Sequence, residues 1–100
     1  MNTTEWRALI HNLRKRFPVS GTVTVRRYPS KRLCGATTFD GRNYCIRVDS
    51  KQPRIGQIDT LLHEWAHVYA IEQAYTHGGP WASIFGEIYT AWTDNFEEKG

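Results

Sequence analysis

Near the start of the chain the apolar residues Trp6, Leu9, Ile10, Leu13 and Phe17 recur every three or four positions, the spacing of a single helical face. Asn2 precedes them and Glu5 follows it three residues later, the order of a helix N-cap with its reciprocal acid. This pattern predicts a helix over about 3–16, with Arg7, His11, Arg14, Lys15 and Arg16 on its outer face and Pro18 as the stop signal. After the break at Ser20-Gly21, Thr22 to Arg26 alternates with the period of a half-buried strand, which Pro29 and Ser30 end. Thr37 to Phe39 and Asn43 to Val48 flank Asp40-Gly41, a pair suited to the positive φ angles of a hairpin turn, so two antiparallel strands are predicted there. Asp49 to Arg54, with Pro53 inside it, reads as a connection.

The second half changes period. From about Ile55 to Tyr75, residues Ile58, Leu61, Leu62, Trp65, Val68 and Tyr69 gather on one side of a long helix. Thr76-His77-Gly78-Gly79-Pro80 breaks it, because paired glycines and a proline terminate helices and the proline can open the next one. A last helix is predicted over about Pro80 to Asn95, carrying Trp81, Ile84, Phe85, Ile88, Tyr89 and Trp92 at helical intervals. The sum is an α+β domain: an N-terminal helix, a small antiparallel or mixed sheet of about three strands, a long helix, and a C-terminal helix packed behind it.

Length and composition narrow this picture. One hundred residues build a single core, spanning 1–100, that buries roughly two-thirds of the unfolded surface. No run of eighteen apolar residues is present, and Met1-Asn2-Thr3-Thr4-Glu5-Trp6-Arg7 lacks the order of a secretory signal, so a cytoplasmic protein without a membrane partner is expected. Cys34 and Cys45 are too few for a disulfide framework and are expected as reduced, packed thiols. Charge is laid unevenly: residues 1–54 hold twelve Lys and Arg against three acids, whereas residues 55–100 hold Lys99 against seven. A basic half exposing one face would attract phosphate backbones or an acidic partner, with Arg14, Lys15, Arg26, Arg27, Lys31 and Arg32 as candidate sequence-independent phosphate contacts; the alternative is a solvated surface whose charges partly cancel against the acidic half in the fold.

The chemistry lies in His63-Glu64-Trp65-Ala66-His67, an HExxH pentad inside the long helix. Four residues apart on a helix, His63 and His67 project from one face and can grip one Zn²⁺. Glu64 points about a hundred degrees aside, which suits a base that takes a proton from water rather than a metal ligand. Asp59, Ala66, Ala70 and Ala74 share the ligand-bearing face, leaving it lined with small side chains. Catalytic zinc usually has three protein ligands and a water. His77 is the first candidate for the third, since Gly78-Gly79 can turn the chain back to the metal; Glu87 on the last helix is its competitor. His11 lies outside this group.

Leu61 to His67, followed by His77-Gly78 and then by Trp81 opening a final helix, resembles the SprT-like (Spartan-type) zinc metallopeptidase domain. The strand Tyr44 to Val48 leading by a short loop into the HExxH helix fits the same order, and the likeness covers about residues 43–92. It implies a minimal zincin-like fold, one Zn²⁺ per chain held by His63, His67 and His77, Glu64 as general base, a polypeptide substrate, and proteolysis of DNA-associated proteins. The family commonly reads His-Gly-Pro where this chain has the extra Gly79, and many members carry a zinc ribbon that is not found here, so any DNA affinity is expected from the domain itself. Two other readings compete with a zinc endopeptidase: a non-catalytic, zinc-stabilised domain that binds DNA or protein, and a basic nucleic-acid-binding protein whose histidines are incidental.

Overall fold

The computed structural model describes residues 1–72 and 79–96. In chain order these form α1 (Thr3–Arg16), β1 (Thr22–Tyr28), β2 (Gly35–Phe39), β3 (Asn43–Asp49), α2 (Arg54–Glu72) and α3 (Gly79–Ala91), with a π-helical turn over Trp92–Phe96. The domain is α+β, as its periodicities predict.

Asn2 caps α1 by accepting the Glu5 N–H on its side-chain oxygen at 2.8 Å. Trp6, Leu9, Ile10 and Leu13 are buried on one face, and the last turn carries Arg14, Lys15 and Arg16, where cations favour the helix dipole. Helix α1 ends at Phe17, whose carbonyl accepts the indole N–H of Trp65 at 3.0 Å and whose ring meets Tyr69 edge-on. The end of one helix is thereby tied to the middle of another.

The sheet is mixed, in the order β1-β3-β2. β1 runs parallel to β3 and β2 antiparallel, with Val25 beside Ile46 and Ile46 beside Thr37. The β2–β3 hairpin turns through Gly41, whose φ of 97° disfavours other residues. Asp40 accepts the N–H groups of Arg42 and Asn43, and these bonds hold its carboxyl below the usual aspartate range. Val23, Tyr44, Ile46 and Val48 face the helices in a single core, whereas Thr24, Arg26, Thr38 and Arg47 lie exposed on the other side of the sheet.

β1 continues beyond the alternating stretch Thr22 to Arg26 and stops at Tyr28, directly before Pro29, the predicted terminator. Arg27 takes an inward position, donating to the Met1 carbonyl and to Gln57 while its guanidinium lies 4.6 Å from the centre of the Trp6 ring. Gln57, itself buried, bonds the carbonyls of Ser50 and Gln52 and so anchors the turn that opens α2. Along α2, Ile58, Leu61, Leu62, Trp65 and Val68 are fully buried, each contributing roughly 1.5–3 kcal/mol by leaving water. These anchors fix which face of α2 remains for chemistry.

Ile84, Ile88 and Trp92 bury the inner face of α3 and the turn after it. The regular helix predicted to Asn95 gives way at Trp92, where the Thr93 hydroxyl donates to the Tyr89 carbonyl at 2.6 Å and competes for the backbone acceptor. The predicted end of the long helix at Tyr75 falls outside the described residues. Among the described residues no helix is long and apolar enough to cross a membrane.

Candidate metal centre

His63, Glu64 and His67 come together on α2, one donor atom from each lying within 4.8 Å of the others, and form a group that could hold a metal ion. The Nε2 atoms of the two histidines are 3.1 Å apart and their rings meet at 71°. That separation suits one N–H···N bond in suitable tautomers, or one cation shared by two lone pairs. Both rings are half-buried, so a small ion would be reached from one side.

Glu64 is buried, at 7% exposure. Its Oε1 accepts the Thr37 hydroxyl at 2.6 Å, and Oε2 lies 3.8 Å from His63 Nε2. Burial of a carboxylate is costly without such a donor. Thr37 belongs to β2, and β2 reaches the helix because Gly35 removes the obstacle. A Cβ there would overlap Thr60 Cγ2 and stand 2.9 Å from the Arg47 carbonyl. Phe85 of α3 closes another side, its ring edge-on to His63 with centroids 5.7 Å apart.

The group opens on a cleft of about 380 Å³ lined by Cys34 and Gly35 from the sheet side, by Asp59, Thr60, His63 and Glu64 from α2, and by Phe85. Among the described residues β2 is an edge strand of the sheet. The Cys34 carbonyl accepts from Asp49 N–H and the Asn43 carbonyl from Asp40 N–H, so even-numbered residues of this strand pair with β3. By the antiparallel alternation, the backbone N–H and C=O of Gly35, Thr37 and Phe39 point to the free edge. Among the described residues this edge, whose Gly35 lines the cleft together with His63 and Glu64, presents its hydrogen-bonding groups outward.

His77, the expected third ligand, lies outside the described residues, as does Ala74. Glu87 is exposed on α3 and is not part of the three-residue group. His11 is exposed on α1. Ala66 and Ala70 are buried, so the small-residue stripe is covered rather than an open channel, and the cleft lies further toward Asp59. The C-terminal helix reaches the ligand side through Phe85 instead of packing wholly behind it.

Both cysteines are free, as expected, but Cys34 is exposed at the cleft rather than packed, while Cys45 is half-buried. Of the basic residues, Lys15, Arg26, Lys31 and Arg32 are exposed on α1, β1 and the loop after it; Arg14 is exposed and donates to the Val23 carbonyl, and Arg27 is turned inward.

Thr37 and Gly35 are absent from the residues singled out by motif. The available signal was the alternation of β2, which puts Thr37 on the inward face beside Ile46, where a hydroxyl needs a partner. No protein-family model matches the chain and no curated protein matches it significantly.

Proposed function

We propose that this domain is a zinc-dependent endopeptidase of the SprT-like type. The observation that carries the proposal is the pairing, on one helix, of two converging imidazoles with a buried carboxylate that is oriented toward them and tethered on its far oxygen. Two imidazoles on a tetrahedral zinc at about 2.05 Å have nitrogens roughly 3.3 Å apart; the observed 3.1 Å fits that ion with little movement. His63 and His67 would hold it, with His77 as the proposed third ligand.

Zinc held there supplies Lewis acidity to the scissile carbonyl and to the attacking water. Glu64 accepts the proton of that water on Oε2 and returns it to the departing amine, so one carboxylate serves as base and then as acid. The substrate lies extended along β2, pairing with the backbone of Gly35 and Thr37, which sets its carbonyl beside the histidines. Strand pairing reads main chain rather than side chains and lets a short domain bind a polypeptide. Phosphate contact by the exposed Lys15, Arg26, Lys31 and Arg32 is proposed as a secondary attachment to DNA, with steep salt dependence as its signature.

The test is Glu64→Gln in zinc-loaded protein with fluorescein-labelled casein as substrate. The variant keeps one zinc per chain and loses about a hundredfold to ten-thousandfold in rate. Undiminished cleavage would remove Glu64 from the role of base. Loss of the zinc together with an inactive wild type would instead make Glu64 a ligand and favour the non-catalytic, zinc-stabilised binding domain.

A further inference from the structure

Thr37 meets two parts of the site at once. Its main chain faces the free edge of β2, and its hydroxyl crosses to α2 and donates to Glu64 Oε1 at 2.6 Å. The two oxygens of Glu64 are thus unlike: Oε1 is fixed to the sheet, and Oε2 is left at 3.8 Å from His63 Nε2. The terminal torsion of a glutamate is broad and roughly two-fold, so an untethered carboxylate at this position would rotate between orientations. One short hydrogen bond to a β-branched residue, itself stiff at χ1, selects among them.

We infer that Thr37 is the positioning residue for Glu64, holding its carboxylate with one chosen oxygen toward the imidazole pair; this inference rests on the peptidase proposal and specifies how its base is aligned. Because the strand that orients the base is also the strand that receives the substrate, binding and alignment meet in a single residue. A peptide seated on the edge of β2 stiffens the element from which the Thr37 hydroxyl projects. Gly35, two residues earlier, is what lets that strand lie close enough to α2 for the hydrogen bond to form.

The experiment compares wild type, Thr37→Val and Thr37→Ser, each zinc-loaded, using a quenched fluorogenic peptide that the wild type cleaves. Val keeps the branched shape and removes the donor; Ser keeps the donor. The inference expects kcat of T37V to fall about tenfold to a hundredfold, part of the hundredfold or more that general base catalysis supplies. KM and zinc content stay unchanged, and T37S regains most of the rate. An unchanged kcat in T37V, or a loss shared equally by T37S, overturns it.

Crystal structures of zinc-loaded wild type and T37V give a readout that needs no turnover. The Glu64 carboxylate turned away from the histidines in T37V supports the inference; the same orientation in both proteins overturns it. A wild type that cleaves no peptide would end the peptidase proposal, whereas the crystallographic comparison would still decide whether Thr37 orients Glu64. Should T37V not fold, Thr37→Ala takes its place in both arms.

Discussion

Replacing Gly35 by alanine tests the closeness of sheet and helix on which the site depends. The added methyl would overlap Thr60 Cγ2 and stand 2.9 Å from the Arg47 carbonyl, against ordinary contact distances of about 3.5–4.0 Å. Neither neighbour yields easily: Thr60 is β-branched and hydrogen-bonded to Gln52 at 3.1 Å, and the Arg47 carbonyl belongs to the central strand. Strand and helix must therefore move apart, and overpacking of this kind costs about 1–3 kcal/mol. For a domain of this size each kcal/mol lowers the melting temperature by about 4–8 °C, so G35A should melt about 8–16 °C lower for a mid-range cost of about 2 kcal/mol.

The assay is thermal unfolding followed by circular dichroism, run as a double-mutant cycle with Thr60→Ser. That second change deletes the Cγ2 methyl and keeps the hydroxyl on Gln52, so it relieves the closer clash and leaves the one with Arg47. The double variant should recover part of the loss, with a coupling of at least about 0.5 kcal/mol. The metal binding proposed for His63 and His67, both on α2, should survive in G35A, whereas the Thr37–Glu64 hydrogen bond should not. A G35A protein as stable as wild type, or zero coupling to T60S, would refute the claimed contact.

Trp65→Phe empties space in the centre of the core and leaves the Phe17 carbonyl without its indole donor, so urea denaturation should show a loss of about 2–4 kcal/mol. The N–H groups of Lys51 and Ser30 donate to Asp49 and hold its carboxyl below the usual aspartate range. A depressed folded pKa stabilises the fold above the unfolded value, and that stabilisation is lost as pH falls through the folded one. Asp49→Asn should therefore be less stable than wild type at neutral pH, the difference shrinking on acidification; a difference that grows in acid would contradict this.

The helices were legible because their apolar periodicity is strong and local. Asn2, Trp6, Leu9, Ile10 and Leu13 mark α1 from Thr3 to Arg16, as predicted. The strands were legible only where the alternation is apolar. The end of β1 was marked by Pro29, but Arg27 fills an inward position by stacking on Trp6, an arrangement no local pattern signals. β2 begins at Gly35, a weak strand former whose value lies in its close approach to Thr60, a residue on a distant element. The parallel pairing of β1 with β3 is likewise non-local.

The site shows the same division. His63, Glu64 and His67 were readable because helical spacing alone brings them together. Thr37 was not, since its hydrogen bond to Glu64 joins two elements that only the tertiary fold brings into contact. Residues grouped by one helix are visible in sequence, and the strand residue bonded to them becomes visible in the assembled domain.

The most direct test is zinc content after chelator stripping and reconstitution, compared among wild type, His63→Ala and His67→Ala. Wild type should bind one zinc per chain and gain about 2.7 kcal/mol of stability at free zinc a hundredfold above its dissociation constant. Each alanine variant should lose both. Equal zinc content and equal melting temperatures in all three proteins would show that the paired imidazoles hold no metal.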